Sequence, residues 1–336
     1  MKISVVLCTF NGERFLEEQL TSIAQQTRVP DELVICDDRS TDSTVDIAHD
    51  ICRRYELNGV IEVNKERLGV EENFSYAMGK ATGDVLFFCD QDDVWVVDKV
   101  EKMIAPFQDD PQVTLVYSDG WITGPNLEQT KYTLFNKNPR KHLLDGDTRP
   151  IGTLLKQGNA PGIKASSMAF GSRVRELAGP LPDGVAHDSW LAFFGYVAGK
   201  VVAVPEQLYS YRRHEHTSGK SSTNKLISGL EHVKKVESQV AQLQEKTILA
   251  HRIFERLCEI EDTGLAGQNV PSRFAALLQD AEDAARTLGA RAMIHEQSGV
   301  FSRMLQGMFC LIQGDYVAIE GFIPKLKILR HDVLQR

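Results

Sequence analysis

No stretch of eighteen apolar residues occurs in this 336-residue chain, so the sequence offers no transmembrane helix. No CxxC pair occurs either. The six cysteines, Cys8, Cys36, Cys52, Cys89, Cys258 and Cys310, are scattered. That argues against a zinc cage and reads as reduced, mostly buried thiols of a cytoplasmic protein. A GxGxxG loop is missing, which disfavours a dinucleotide oxidoreductase. Gly219-Lys220-Ser221 has the end of a phosphate loop, but His214 stands where that pattern needs its first glycine. Basic residues are not in excess: 38 Lys and Arg face 46 Asp and Glu, a net charge of -8. Such a balance argues against a protein that grips nucleic-acid backbone. The opening residues do not read as a secretory signal, because Asn11-Gly12-Glu13 interrupts the apolar run of Ile3–Cys8 too soon. There is no internal repeat and no low-complexity tract. With 42% hydrophobic and 25% charged residues the composition is that of an ordinary globular protein. The length suits one large α/β domain, or a domain with an extension.

What is present is an alternation. Ile3–Cys8, Leu33–Cys36, Val60–Val63, Val85–Cys89 and Val113–Tyr117 are short apolar runs that read as buried strands. Between them the apolar spacing becomes helical, as in Phe15, Leu16, Leu20, Ile23 and Ala24, or Val100, Met103, Ile104 and Phe107. This pattern predicts a mainly parallel sheet covered by helices. Residues 120–160, rich in Gly, Pro, Asn and Asp, read as an irregular connection. Ser166–Phe170 reads as a strand, Asp188–Tyr196 as a helix, and Val201–Val204 and Leu208–Tyr211 as two strands. From about residue 225 the pattern is helical, over Leu226–Leu257, Pro271–Leu288 and Arg291–Ile312. The expected division is an α/β domain over 1–220 and a helical extension over 221–336.

Ligands of such sheets bind beyond the carboxyl ends of the strands. The polar clusters Thr9–Glu13, Asp37–Ser40 and Asp90–Asp93 each follow a strand, so they are expected to share one crevice. Asp90-Gln91-Asp92-Asp93 is the strongest signal. Carboxylates crowded in a crevice repel one another unless a cation joins them, and hard oxygen donors suit Mg2+ or Mn2+. The alternative is a polar turn that caps the following helix, just as Asp38, Ser40 and Thr41 can cap theirs. Trp95 and Trp190 are weak candidates for stacking on a sugar, since most tryptophans pack in cores.

These residues resemble, in order and spacing, the family 2 glycosyltransferases. The segments are Val5–Gly12, Gln25-Gln26-Thr27, Asp37–Asp42 and Asp90-Gln91-Asp92-Asp93-Val94-Trp95. The last is most similar to the bacterial rhamnosyltransferase branch. Weaker similarity runs through Gly162–Phe170 and His187-Asp188-Ser189-Trp190 to Tyr211-Arg212-Arg213-His214. The resemblance implies a GT-A fold and inverting transfer of a sugar from a nucleotide diphosphate to an acceptor hydroxyl. It implies that Thr9, Phe10, Asn11 and Glu13 border the base and ribose, and that Asp38 bonds the base. Asp92 would lie near the ribose or the metal. Asp90, Asp92 and Asp93 would form the region for Mn2+ or Mg2+, which of the three touches the ion being left open, with His214 able to reach the metal or the diphosphate. Asp188 stands where the family has its catalytic base; the family often has Glu-Asp where this chain has His187-Asp188.

By the same analogy the donor is dTDP-L-rhamnose and the acceptor a saccharide or lipid-linked saccharide of bacterial surface polysaccharide synthesis. A UDP-hexose donor and a non-catalytic nucleotide-sugar scaffold are the alternatives. A nucleotidyltransferase would need a Gly-rich, basic N-terminal loop that Thr9–Gly12 does not supply. The basic amphipathic end, with Ile323, Leu326, Ile328 and Leu329 among Lys325, Lys327 and Arg330, has two readings. It rests peripherally on the inner face of the plasma membrane, or it packs on the domain or on a second copy in a homo-oligomer.

Overall fold

A computed structural model describes residues 1–137, 163–215, 231–265 and 274–295. Readings that fall on 138–162, on the 216–230 boundary or on the basic tail lie outside these described residues. The chain divides into two compact units, Met1–Asp147 with Pro161–Ser218, and Thr148–Ala160 with Gly219–Arg336.

The first unit is built on a nine-stranded sheet. The apolar runs form β1 (Ile3–Thr9), β2 (Glu32–Asp37), β3 (Gly59–Val63) and β4 (Val85–Cys89). All four are parallel, in the order β3-β2-β1-β4. Each connection is a helix: α1 (Leu16–Ala24), α2 (Thr44–Arg54) and α3 (Val70–Lys80). The α1 helix buries Leu16, Gln19, Leu20 and Ile23, one face of a 3.6-residue period. After β4 come the two-residue strand β5 (Val94–Trp95), α4 (Lys99–Asp109) and β6 (Val113–Thr123).

The fifth long strand does not lie beside the fourth. Between β4 and β6 comes β8 (Met168–Gly171), antiparallel to both and preceded by a 3-10 turn at Ala165–Ser167. The sheet is therefore mixed: a parallel half and a half crossed by antiparallel strands. Beyond β6 lie β9 (Lys200–Arg212), parallel to it, and then β5, antiparallel to β9. Helices α6 (Ser172–Ala178) and α7 (His187–Ala198) link β8 to β9.

Three local expectations are corrected. Residues 120–137 are regular: β6 continues to Thr123, β7 (Gln129–Thr133) pairs with it, and α5 (Leu134–Lys137) follows. The two strands expected at 201–204 and 208–211 are one. Its register jumps from Ser118↔Val204 to Asp119↔Gln207, so Pro205, which has no N–H to give, lies in a bulge and the strand continues past it. In the second unit, α8 (Glu231–Thr263) and α9 (Phe274–His295) are long helices. The α9 helix runs unbroken through Gly289, where a break near 288–291 was expected.

Gly120 sits at a second slip of the β6–β9 register. A Cβ there would fall 2.5 Å from the ring of Tyr209. That ring is fully buried, so it has nowhere to move. Gly120→Ala is expected to lose about 1–3 kcal/mol of stability. It should appear in urea denaturation as a lower midpoint with an unchanged slope.

Candidate active site

Parallel pairing sets the strand ends level. Thr9 stands opposite Asp37, and Leu7 opposite Cys89, so the segments after β1, β2 and β4 open on the same edge. Side chains then lock these segments together. The Thr9 hydroxyl donates to Asp37 Oδ2 at 2.7 Å, and the Ser40 N–H donates to Asp37 Oδ1 at 2.7 Å. Gln91 clamps the first segment to the acidic loop: the Phe10 N–H donates to its Oε1 at 2.9 Å, and its Nε2 donates to the Phe10 carbonyl at 3.1 Å. A Cβ on Gly12 would meet that same Gln91 oxygen at 2.3 Å.

The turn itself is tied to the start of α2. The Asn11 N–H donates to Ser40 Oγ at 2.8 Å, and Asn11 Oδ1 accepts from the Thr41 N–H at 2.9 Å. Glu13 Oε2 accepts from the Ser43 N–H at 3.0 Å. Two residues of this rim hold left-handed backbone, Asn11 at φ +46° and Arg39 at φ +65°. Asparagine tolerates that region; an arginine there costs of order 1–3 kcal/mol, a strain common at binding sites.

Asp38 is buried and engaged within the chain. Its Oδ1 accepts from the Leu68 N–H at 2.7 Å and from Asn64 Nδ2 at 3.1 Å, and its Oδ2 from the Gly69 N–H at 2.9 Å. It thus holds the loop after β3 against the end of β2. Arg67 of that loop stacks its guanidinium 3.8 Å from the centre of the Phe10 ring.

The acidic loop divides into an open part and a buried part. Asp90 and Asp92 are partly exposed, whereas Asp93 has no exposed surface. Asp92 Oδ2 lies 2.7 Å from His214 Nε2, just beyond the end of β9. Burial, and then the neighbouring Asp92 carboxylate, push Asp90 up to about 7. Asp93 is driven well above the ordinary carboxylate range by burial, Asp92 and Asp90. Its Oδ1 accepts from the Arg212 N–H at 3.1 Å, and its Oδ2 has no partner.

Among the described residues no group of three or more His, Cys, Asp or Glu side chains stands ready to hold an ion. The four expected ligands are therefore not a finished cage: Asp92 is occupied with His214, and Asp93 is drawn inward. The remaining donor chemistry still fits a hard divalent ion. Asp90 and Asp92 are crowded, partly open carboxylates with an imidazole beside them, and their mutual repulsion is what such an ion relieves.

Asp188 lies in the first turn of α7 and is partly exposed; the residue before that helix is Ala186, so Asp188 is not its N-cap. Asp188 Oδ1 accepts from the Ser189 N–H at 2.7 Å, and Oδ2 faces Lys164 Nζ at 3.2 Å. Its charge reaches the acidic loop, where it is one of the groups that raise Asp90. His187 stacks its ring on Phe74, centroids 4.7 Å apart, and burial lowers its basicity.

Both tryptophan candidates are corrected. Trp190 is 2% exposed, with its indole N–H given to the Ala178 carbonyl at 3.1 Å; Trp95 is 4% exposed, with the Lys99 ammonium 4.3 Å from its ring centre. Both are core residues with no face for a sugar.

Three cations were missed from the sequence. Arg212 is buried; its Nε donates to the Asp92 carbonyl at 2.7 Å, its Nη1 to the Pro125 carbonyl at 2.6 Å, and its Nη2 to Glu18. Lys99 is fully buried between Trp95 and Tyr209, donates to the Ser166 carbonyl at 2.7 Å, and is lowered by burial to about 8. Lys164 is the third. The only sequence signal for them was proximity to the motifs, since a lysine in a first helical turn reads as solvated surface.

The profile of "Glycosyl transferase family 2" matches residues 4–167. An uncharacterized glycosyltransferase of Nostoc is 28% identical over 234 residues, 67% of this chain and 69% of the relative. The dTDP-rhamnosyl transferase RfbG of Shigella flexneri is 38% identical over 104 residues, 29% of this chain and 35% of its own length. The crystal structure of Staphylococcus aureus TarS 1-349 in complex with UDP-GlcNAc superposes with a TM-score of 0.52 at 17% identity, covering 94% of this chain and 89% of that one. The fold is that of the GT-A glycosyltransferases, and residues 4–167, just under half of the chain, match glycosyltransferase family 2.

Proposed function

We propose that this protein transfers a sugar, with inversion, from a nucleotide diphosphate donor to an acceptor hydroxyl. The observation that carries this reading is that Thr9, Asp37 and the acidic loop Asp90–Asp93 lie at level strand ends on one edge of the sheet, with His214 brought to 2.7 Å from Asp92. Asp188, in the first turn of α7 and paired with Lys164 at 3.2 Å, is the base candidate supplied by a different element. The donor's base and ribose lie along Thr9–Glu13, with Asp38 fixing the loop that carries Arg67. Asp90, Asp92 and His214 hold Mn2+ or Mg2+, while Asp93 braces the loop from within. When bound, the ion neutralises charge on the leaving diphosphate.

Asp188 takes the proton of the acceptor hydroxyl as that oxygen bonds to the anomeric carbon. The bond from that carbon to the diphosphate oxygen breaks on the opposite face, which inverts the centre. The donor sugar is L-rhamnose carried on dTDP. Support comes from the Shigella relative and the Asp90–Trp95 motif, and a UDP-hexose is the competing donor. A saccharide or lipid-linked saccharide of bacterial surface polysaccharide is the acceptor. No described helix is long and apolar enough to cross a membrane; contact of the chain with a membrane surface is part of the proposal.

A thermal-shift titration with dTDP, UDP and GDP, each with and without Mn2+, tests the donor site. One nucleotide is expected to raise the melting temperature in a metal-dependent way. A folded sample that responds to none of them refutes the reading.

Asp188→Asn is expected to lower transfer at least about a hundredfold. The melting shift caused by the nucleotide should be no smaller than in the wild type. Turnover near the wild-type rate would remove Asp188 from the mechanism.

The raised Asp90 carboxyl gives a pH dependence. Between its unfolded value near 3.8 and about 7, the folded protein keeps a proton that the unfolded chain has lost. Metal-free stability therefore falls as pH rises through that window. Binding an ion there must expel that proton. The melting shift from Mn2+ should thus grow up to about pH 7 and level off above it. In Asp90→Asn the shift should be small and flat.

A further inference from the structure

Lys164 pairs with the base candidate. Its Nζ is 3.2 Å from Asp188 Oδ2, and its charge is the largest influence that draws Asp90 back toward the ordinary carboxylate range. It acts also on His187 at the start of α7. The ammonium is thus paired with the base candidate and within electrostatic reach of the acidic loop.

The two ends of this residue are held differently. At its root, the Lys164 carbonyl accepts from the Ser167 N–H at 3.0 Å and from Ser167 Oγ at 2.7 Å. Two residues on, the Ser166 carbonyl is gripped by the buried Lys99 ammonium at 2.7 Å. The side chain, by contrast, is 48% exposed, against 18% for its partner Asp188. An ion pair open to water to that degree is weak, commonly within about 1 kcal/mol, so it yields readily to a stronger anion. Lysine suits such an exchange, because its ammonium is a point charge on a flexible four-carbon stem.

We propose that Lys164 is the donor-sensing residue of this site: its ammonium neutralises Asp188 until a nucleotide diphosphate binds, and then moves to the diphosphate, freeing Asp188 for the acceptor hydroxyl. This rests on the glycosyl-transfer reading given above. A diphosphate offers several charged acceptor oxygens against the two of a carboxylate, one of which is already bonded to the Ser189 N–H.

The test compares the wild-type chain with Lys164→Met, Lys164→Gln and Lys164→Arg, all with Mn2+ present. The probes are the nucleoside diphosphate that wild type prefers among dTDP, UDP and GDP, and the matching monophosphate. Both neutral variants should bind the diphosphate about tenfold more weakly, the loss of one charge-assisted hydrogen bond. Binding of the monophosphate should be unchanged, and Lys164→Arg should keep most of the diphosphate preference. In steady state the neutral variants should raise the KM for the donor by a similar factor.

Equal diphosphate binding by wild type and a folded neutral variant would overturn the proposal while leaving the transfer reading intact. A wild type that binds no nucleotide diphosphate would overturn both. Having two neutral variants keeps the test decisive where one of them folds poorly.

Discussion

Negative charge confined at the ends of parallel strands is the constraint on which this site depends. Asp37, Asp90, Asp92 and Asp93 all issue from strand ends that backbone pairing holds level, and Asp188 is added from a helix across the crevice. Burial, and then the neighbouring Asp92 carboxylate, raise Asp90 to about 7. The chain answers with hydrogen bonds where the group is structural and with basic side chains where it is not. Asp37 and Asp38 are satisfied by hydroxyl and backbone donors, which fixes the first two strand ends as a rigid wall. Asp90 and Asp92 are left partly open.

The mixed character of the sheet follows from the same need. Four parallel strands suffice to form the wall of Thr9 and Asp37, but they bring neither the proposed base nor a cation to the opposite side. The antiparallel β8 inserted beside β4 does: the turn that leads into it carries Lys164 and Ser166, and the helices after it deliver Asp188. Beyond β6, the long β9 returns Arg212 and His214 to the acidic loop, aided by its two-residue pairing with β5. The bulge at Pro205 lets one strand span the sheet and still reach the crevice.

Much of the first half was legible because its signals are local. Continuous apolar runs mark buried parallel strands, and a polar cluster after each run marks the ligand edge, so the meeting of Thr9, Asp37 and the acidic loop could be expected. What escaped the sequence is what long-range packing decides. β5 is too short to carry any period, and Lys99 looks like an ordinary first-turn lysine of α4. Arg212 is one of two adjacent arginines, and nothing local says that it is the one buried beneath Phe15, Asp92 and Glu18. Tryptophans near a sugar site suggest stacking, yet Trp95 is needed inside to cover the Lys99 ammonium. The order of Asp90, Asp92 and Asp93 on the page does not reveal which faces inward; Arg212 decides that by offering its backbone N–H to Asp93.

The three cations around this loop differ in burial, and burial separates their roles. Arg212 and Lys99 are almost or wholly without exposed surface, so removing either leaves buried acceptors unsatisfied and cannot be a reversible step in turnover. They set the frame. The Lys164 side chain is half exposed, held at its root by Ser167 and at its ammonium by Asp188 alone among the described residues, so its position can follow the charge in the crevice. Lys99 links the two behaviours, because the carbonyl it holds belongs to the turn from which Lys164 reaches. A static buried charge thus aims a mobile exposed one. That division explains why a chain that is acidic overall spends a lysine on a fully desolvated position beside its most crowded carboxylates.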